Sequence, residues 1–279
     1  MSNKLLLFLM IMAMIAWGET WVSAKILNSY LPSSELVFWR FLFTAIGLLP
    51  LVFYFKDKVD LKLAFISGIL LFFYNLFFFL GTKYGLASIG GVLVTTLNPI
   101  VTFILIALLY RKKLKKIEIF GLILGFLGSF LILGFWKFGS EIFNKGNIFY
   151  ILASFTWPIL TIVSSKNRSN AITFSFFMFV FTSLISLIFL GFKVHNIFKL
   201  DFKFWLNMFL LSFYATSFAT TIYFLGVKRL GSKIASAFFF LVPVSAIVFS
   251  TVFLKEKITL NLVIGGILSI MAVYLINRK

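Results

Sequence analysis

The chain has 279 residues, of which 61% are hydrophobic, and a mean hydropathy of +1.07, well above the 45–50% apolar content of a soluble domain. It holds no cysteine and one histidine, which excludes disulfides, thiol catalysis and Cys-ligated zinc. The net charge of +18 sits in short segments between apolar blocks, with no separate basic module. It therefore points to a membrane surface and not to nucleic acid.

Stretches long enough to cross a bilayer as helices fall in chain order at 5–24, 36–55, 63–82, 90–110, 117–135, 147–165, 172–192, 204–225, 234–254 and 259–276. In lipid the backbone must satisfy its own hydrogen bonds, so ten such segments predict an all-α integral membrane bundle. The first stretch begins like a signal peptide. It lacks a small-x-small cleavage site and runs on into Trp17-Gly18-Glu19, so it reads as an uncleaved first helix. With both termini in the cytoplasm, sixteen Lys and Arg residues lie on the cytoplasmic side and nine outside. The main cluster is Arg111, Lys112, Lys113, Lys115 and Lys116. The positive-inside rule selects that orientation. His195, in the connection between the seventh and eighth spans, reads as a solvated loop residue.

Two charges interrupt the hydrocarbon. Glu19 lies in the first span, ~9 Å before Lys25, and Arg40 in the second, ~8 Å after Glu35, at a rise of ~1.5 Å per residue. The chain reverses between them, so both reach a similar depth and can pair. A charge at such a depth marks a functional site by default. Two accounts stand side by side: a static pair that orients two helices, or a cavity in which Arg40 grips a carboxylate and Glu19 takes an ammonium or a proton. A zwitterionic amino acid suits the second. Proton coupling stays open, because burial and a neighbouring arginine act on a carboxylate in opposite senses.

Polar residues at helical spacing mark other inward faces. The fourth span carries Thr95 and Asn98, the third Asn75, the sixth Trp157 and Thr161, and the eighth Ser217 and Tyr223. Small polar residues also serve simply to pack membrane helices. Trp17 and Trp21 fall on a different stripe of the first span from Glu19, one suited to the outer interface or a neighbouring helix. Pro99 and Pro243 sit at matched places and read as hinges. Glycines at 121, 125, 128, 265 and 266 could seat a neighbouring helix or, as a homodimer, a second protomer.

The halves repeat. A shift of 144 residues lays Leu97 on Leu241, Pro99 on Pro243, Lys113 on Lys257, Gly121 on Gly265 and Leu131 on Leu275. Five spans per half, an odd number, turn the second half over: residues 1–139 form one five-helix repeat and 140–279 its inverted counterpart. Inverted repeats meeting at a midplane site are a signature of secondary transporters, and no Walker-type glycine loop supports ATP drive.

Further motifs carry a family resemblance. They are Trp17-Gly18 with Ser23-Ala24-Lys25, Phe38-Trp39-Arg40-Phe41, Gly81-Thr82-Lys83-Tyr84-Gly85-Leu86-Ala87 and Leu97-Asn98-Pro99-Ile100 in the first half. The second half adds Leu241-Val242-Pro243-Val244, Leu254-Lys255-Glu256-Lys257-Ile258 and Gly265-Gly266. In their order and spacing the chain resembles the drug/metabolite transporter superfamily, specifically an EamA-type ten-helix transporter. The resemblance implies export or exchange of a small metabolite, an amino acid or related compound, across the bacterial inner membrane, with cytoplasmic termini and no cofactor. Two departures stand out: Lys112 where the second half has Glu256, and Glu19 where such proteins more often carry a small polar residue. The alternatives are an intramembrane enzyme on a lipid or isoprenoid, which would need clustered His, Asp or Glu, and a non-transporting scaffold, which would need no charge inside its spans. No acidic ring suggests a channel filter.

Overall fold

The computed structural model describes residues 2–55, 58–85, 87–111, 113–133, 145–254 and 260–277. Leu86, Lys112, the motif at 255–258 and the half boundary at 139/140 lie outside them. Among the described residues the chain is helical, without strands. Seven helices are long and apolar enough to span a membrane.

Several helices start where a side chain can satisfy the free backbone N–H groups of a first turn. Ser2 accepts from Leu5 N–H before α1 (Asn3–Leu27). The turn after α1 leads through Pro32 into α2 (Ser33–Phe55). Asp60 caps α3 (Leu61–Tyr84) at Leu63 N–H, and α4 (Ala87–Leu109) follows after a short link. Glu118, in the first turn of α5 (Lys116–Leu133), accepts from Lys115 N–H. Beyond α6 (Lys145–Ser164), Asn170 caps α7 (Ala171–Phe189) and Asp201 caps α8 (Phe202–Leu230). Gly231, at φ +86°, breaks the chain there, because a left-handed backbone suits only a residue without Cβ. The remainder is α9 (Ser232–Ala237), a 3-10 turn at Phe238–Leu241, α10 (Val242–Leu254) and α11 (Leu260–Asn277).

Two irregularities bear on the centre of the molecule. Residues Leu210–Thr220 of α8 form a π-helix, a geometry usually confined to single turns at functional sites. Thr216, Ser217 and Thr220 there donate to the carbonyls of Leu211, Ser212 and Ala215, five residues back. Pro243 lies inside a helical run that starts at Ser232, passes through the 3-10 turn at Phe238–Leu241 and enters α10 just before it.

The two halves interlock. α3 lies against α6 and α7, α2 against α7, and α5 along α11, while α8 lies against α1 and α2. Close approach between α5 and α11 depends on Gly128, whose Cβ would meet the Gly265 carbonyl at 2.7 Å. The polarity is that of a protein in lipid. Leu108, Ile188 and Tyr274 are exposed on the outside, whereas Thr44, Asn75, Asn98, Ser154 and Thr161 are buried.

Candidate functional site

Arg40 reaches the middle of the bundle from α2 and is 6% exposed. Its Nε donates to Thr216 Oγ1 at 2.7 Å and its Nη1 to Asn75 Oδ1 at 2.9 Å. Both acceptors are fixed in turn. Asn75 Nδ2 donates to the Leu71 carbonyl and Thr216 Oγ1 to the Leu211 carbonyl. The guanidinium also lies 5.6 Å from the Phe41 ring centre and 5.9 Å from that of Phe78, within cation–π range. Every one of these partners is neutral. Among the described residues no carboxylate lies within 4 Å of it. A buried cation whose hydrogen-bond partners are all neutral is costly; Glu19, when ionised, acts on it electrostatically without forming an ion pair.

Beside Arg40 is a small cavity of about 30 Å³, room for about one water molecule and well below the volume of an open small-molecule site. α1 contributes Trp17, Thr20 and Trp21, α3 Tyr74, Asn75 and Phe78, α4 Thr95, α6 Trp157, α8 Thr220, and the 3-10 turn Phe239. The rings brace one another. Trp17 meets Trp157 edge-on at 5.3 Å and stacks on Phe239 at 4.9 Å, and Tyr74 packs on Trp157 at 4.5 Å. Trp17 Nε1 donates to the Ala215 carbonyl at 2.9 Å, so the π-helical stretch anchors the indole as well as the arginine.

Of the residues selected from sequence, Arg40, Asn75, Thr95 and Trp157 line this cavity. Tyr223 and Thr161 form a layer behind it. Their hydroxyls are 2.8 Å apart, and the Tyr223 ring packs on Trp17 and Trp157. Ser217 sits at the α2–α8 contact, donating to Ser212 O. Asn98 is fully buried in α4 just before Pro99, with neither amide atom hydrogen-bonded, and does not line the cavity. Glu19 is turned toward α8, where the Ser23 hydroxyl lies 2.5 Å from its Oε1 and 2.8 Å from Asn207 Oδ1. It makes no ion pair with Arg40. Trp17 and Trp21, expected on an outer or packing stripe, pack on neighbouring helices, Trp17 on Trp157 and Trp21 on Phe78 and Tyr150, and also line the cavity with Thr20. The i, i+3, i+4 spacing of Trp17, Thr20 and Trp21 was the available signal.

One end of the bundle is tied across the halves. Glu35, 1% exposed, accepts from the His195 backbone N–H and lies 2.6 Å from His195 Nδ1, while Trp39 Nε1 donates to it at 3.2 Å. Tyr30 donates to Asp201 at 2.9 Å. His195 is a loop residue with its side chain 70% exposed that also meets Glu35. At the opposite end Lys233 bridges to Glu118 at 2.9 Å beside a wide groove.

A family model described as the EamA-like transporter family matches residues 4–134 and again 144–278. An uncharacterized transporter of Archaeoglobus fulgidus is 25% identical over 97% of this chain and 96% of its own length. The S-adenosylmethionine uptake transporter of Rickettsia felis is 27% identical over 63% of this chain and 61% of its own. A solved crystal structure matches with a TM-score of 0.73 at 18% identity, covering 98% of this chain and 96% of that one, which establishes a shared fold.

Proposed function

Because the chain belongs to the EamA-like transporter family, and so is a multi-pass membrane transporter of small molecules and not an enzyme, we propose that it works as a secondary-active carrier. It moves an amino acid or related metabolite by alternating access, in the direction of export. The observation that carries this reading is Arg40: a cation nine-tenths buried beside a cavity, held by Asn75 and Thr216, with no carboxylate in ion-pair contact among the described residues. Such a group is suited to the carboxylate of a passing substrate.

The mechanism needs two halves that can exchange roles. We read the chain as ten spans in two inverted five-helix repeats, 1–139 and 140–279. Two matches of one family model and reciprocal pairings, α3 with α6 and α7 against α8 with α1 and α2, support that reading. The charge asymmetry favours cytoplasmic termini in a bacterial inner membrane. The Glu35–His195 and Tyr30–Asp201 contacts then close the outer end, and Lys233–Glu118 bridges the inner one. Pro99 and Pro243, at matched positions, serve as hinges. Thr161 and Tyr223 support the cavity wall from behind, and Glu19 tunes the α1–α8 contact as the two bundles move. Neither proton coupling nor a homodimer is needed for this cycle.

The name of the Rickettsia relative favours a second reading, uptake of a bulky substrate that also bears a carboxylate. One experiment addresses both. Proteoliposomes loaded with radiolabelled metabolites, including amino acids and S-adenosylmethionine, are assayed for efflux and uptake with and without a pH gradient. Protein-dependent, saturable flux of a carboxylate-bearing compound is expected. Absence of flux for every compound in both directions would overturn the carrier reading.

A further inference from the structure

Resting on the carrier reading, we propose that Glu19 is a proton-binding site: it holds a proton in this conformation and gives it up when α1 and α8 separate. The hydrogens around Ser23 require it. Ser23 is fully buried in α1, with its hydroxyl 2.5 Å from Glu19 Oε1 and 2.8 Å from Asn207 Oδ1. A serine hydroxyl has one proton to give, and two oxygens stand in front of it.

Asn207 decides which of them takes it. Its Nδ2 donates to the Lys203 carbonyl at 2.7 Å, which fixes the amide with Oδ1 toward Ser23. Turned over, the amide would set Oδ1 against that carbonyl with no hydrogen between them. Oδ1 only accepts, so Ser23 Oγ donates to it. The same hydroxyl oxygen is then an acceptor toward Glu19, and Oε1 carries the hydrogen that joins them. A chain Oε1–H to Oγ–H to Oδ1 satisfies all three groups, whereas an ionised Glu19 leaves one pair of facing oxygens without a proton.

The other carboxyl oxygen agrees. Oε2 is buried without a hydrogen-bond partner, so an ionised Glu19 would hold its charge with no hydrogen delivered to either oxygen. A neutral carboxyl leaves only a carbonyl-like oxygen unpaired, a smaller cost. The titratable groups that act on Glu19 are Arg40 on α2 and Tyr214 on α8. Arg40 attracts the ionised form through space, but neither group gives Glu19 a hydrogen bond.

Ser23 belongs to α1 and Asn207 to α8, so parting of the two helices removes Oδ1. The Ser23 proton then turns to Oε1, and Glu19 passes its own proton to entering water; closure reverses both steps. Because the closed contact binds the extra proton, low pH favours it and high pH favours opening. Protonation also removes the charge that acts on Arg40, which links the two sites. The carrier cycle does not need this proton, which makes it responsive to a pH gradient.

The test uses the full chain in lipid nanodiscs and infrared difference spectroscopy, with the proton as the probe. At neutral pH, wild type minus Glu19→Gln should contain a protonated-carboxyl band that shifts in heavy water. Asn207→Ala removes the acceptor and frees Ser23 to donate to Glu19, so most of that band should be lost to a carboxylate band at the same pH. An undiminished band in Asn207→Ala would overturn the proposal. So would a wild-type spectrum at neutral pH without any protonated carboxyl, a result that needs no variant to fold. In proteoliposomes, flux of radiolabelled amino acids and S-adenosylmethionine should respond to a pH gradient in the wild type and not in Glu19→Gln; equal responses in both would count against it. If the band is present and no compound moves, the carrier reading fails and the proton site stands. If compounds move and the band is absent, the proton site fails and the carrier stands.

Discussion

Glu35 offers a perturbation whose size can be worked out from its contacts. Its carboxylate is 1% exposed, accepts from the His195 backbone N–H at 2.6 Å and from Trp39 Nε1 at 3.2 Å, and lies 2.6 Å from His195 Nδ1. Hydrogen bonds to a charged acceptor are worth about 1.5–3 kcal/mol each. His195 is 70% exposed, so in the absence of Glu35 water recovers most of what its donors lose, and the loss falls to about 2 kcal/mol. The contact joins α2 to the connection between α7 and α8. Glu35→Ala should therefore destabilise only conformations in which that end is shut, shifting the balance toward opening by roughly 30-fold. The chain has no cysteine, so Thr20→Cys, in the cavity wall, gives a clean reporter. Labelling by an impermeant maleimide added outside should speed up by about that factor when Glu35→Ala is added. Unchanged labelling together with an unchanged Tm would refute the reasoning.

Two further outcomes follow from packing and charge. Gly18→Ala would drive a Cβ onto Ser245 and to 2.8 Å from the Ala246 backbone nitrogen, an overpacking worth ~1–3 kcal/mol, whereas at Gly266 the nearest atoms are 3.8 and 3.9 Å away and Gly266→Ala should stabilise α11 by ~0.5–1 kcal/mol; thermal melting distinguishes them. The Phe204 N–H and the Tyr30 hydroxyl hold the Asp201 carboxyl below its ordinary range, and the bond to Asp201 raises Tyr30. The depressed carboxylate contributes above its unfolded pKa and loses that contribution as pH falls through the folded value. The raised tyrosine contributes at lower pH and loses it as pH rises through its own folded value. Protection factors of the amides at 28–33 and 198–204 should be flat between about pH 5 and 9 and fall outside that window, and Asp201→Asn should abolish the acid limb.

Much of the scaffold was legible because lipid imposes a simple rule. Apolar blocks bounded by charges became helices, and α1 to α7 begin and end within a few residues of the expected spans. What escaped had no composition signal. Nothing in Leu210–Thr220 distinguishes a π-helix from an α-helix, since its register comes from the contacts of Thr216 with Arg40, Ser212 with Thr44 and Ala215 with Trp17. The apolar run at 234–254 is continuous and gives no sign of the change to 3-10 geometry at Phe238–Leu241, just before Pro243. Arg40 and Asn75 were found by the cost of burying them. Trp17 and Trp21 were assigned to another stripe because aromatic residues are common at lipid interfaces as well as in cavities, and sequence spacing alone does not choose between them. Glu19 and Arg40 did reach a similar depth, but the α1 rotation that brings Trp17 inward turns Glu19 toward Asn207.

If substrate passes beside Arg40, transport must depend on that side chain, and flux through its variants measures the dependence. Wild type, Arg40→Lys and Arg40→Leu are reconstituted at equal density, with Tm and membrane insertion measured on the same samples. The account predicts that Arg40→Lys, which keeps the charge but loses the planar fork, remains inserted and stable yet transports far more slowly, and that Arg40→Leu transports nothing. Wild-type flux in either variant would contradict it.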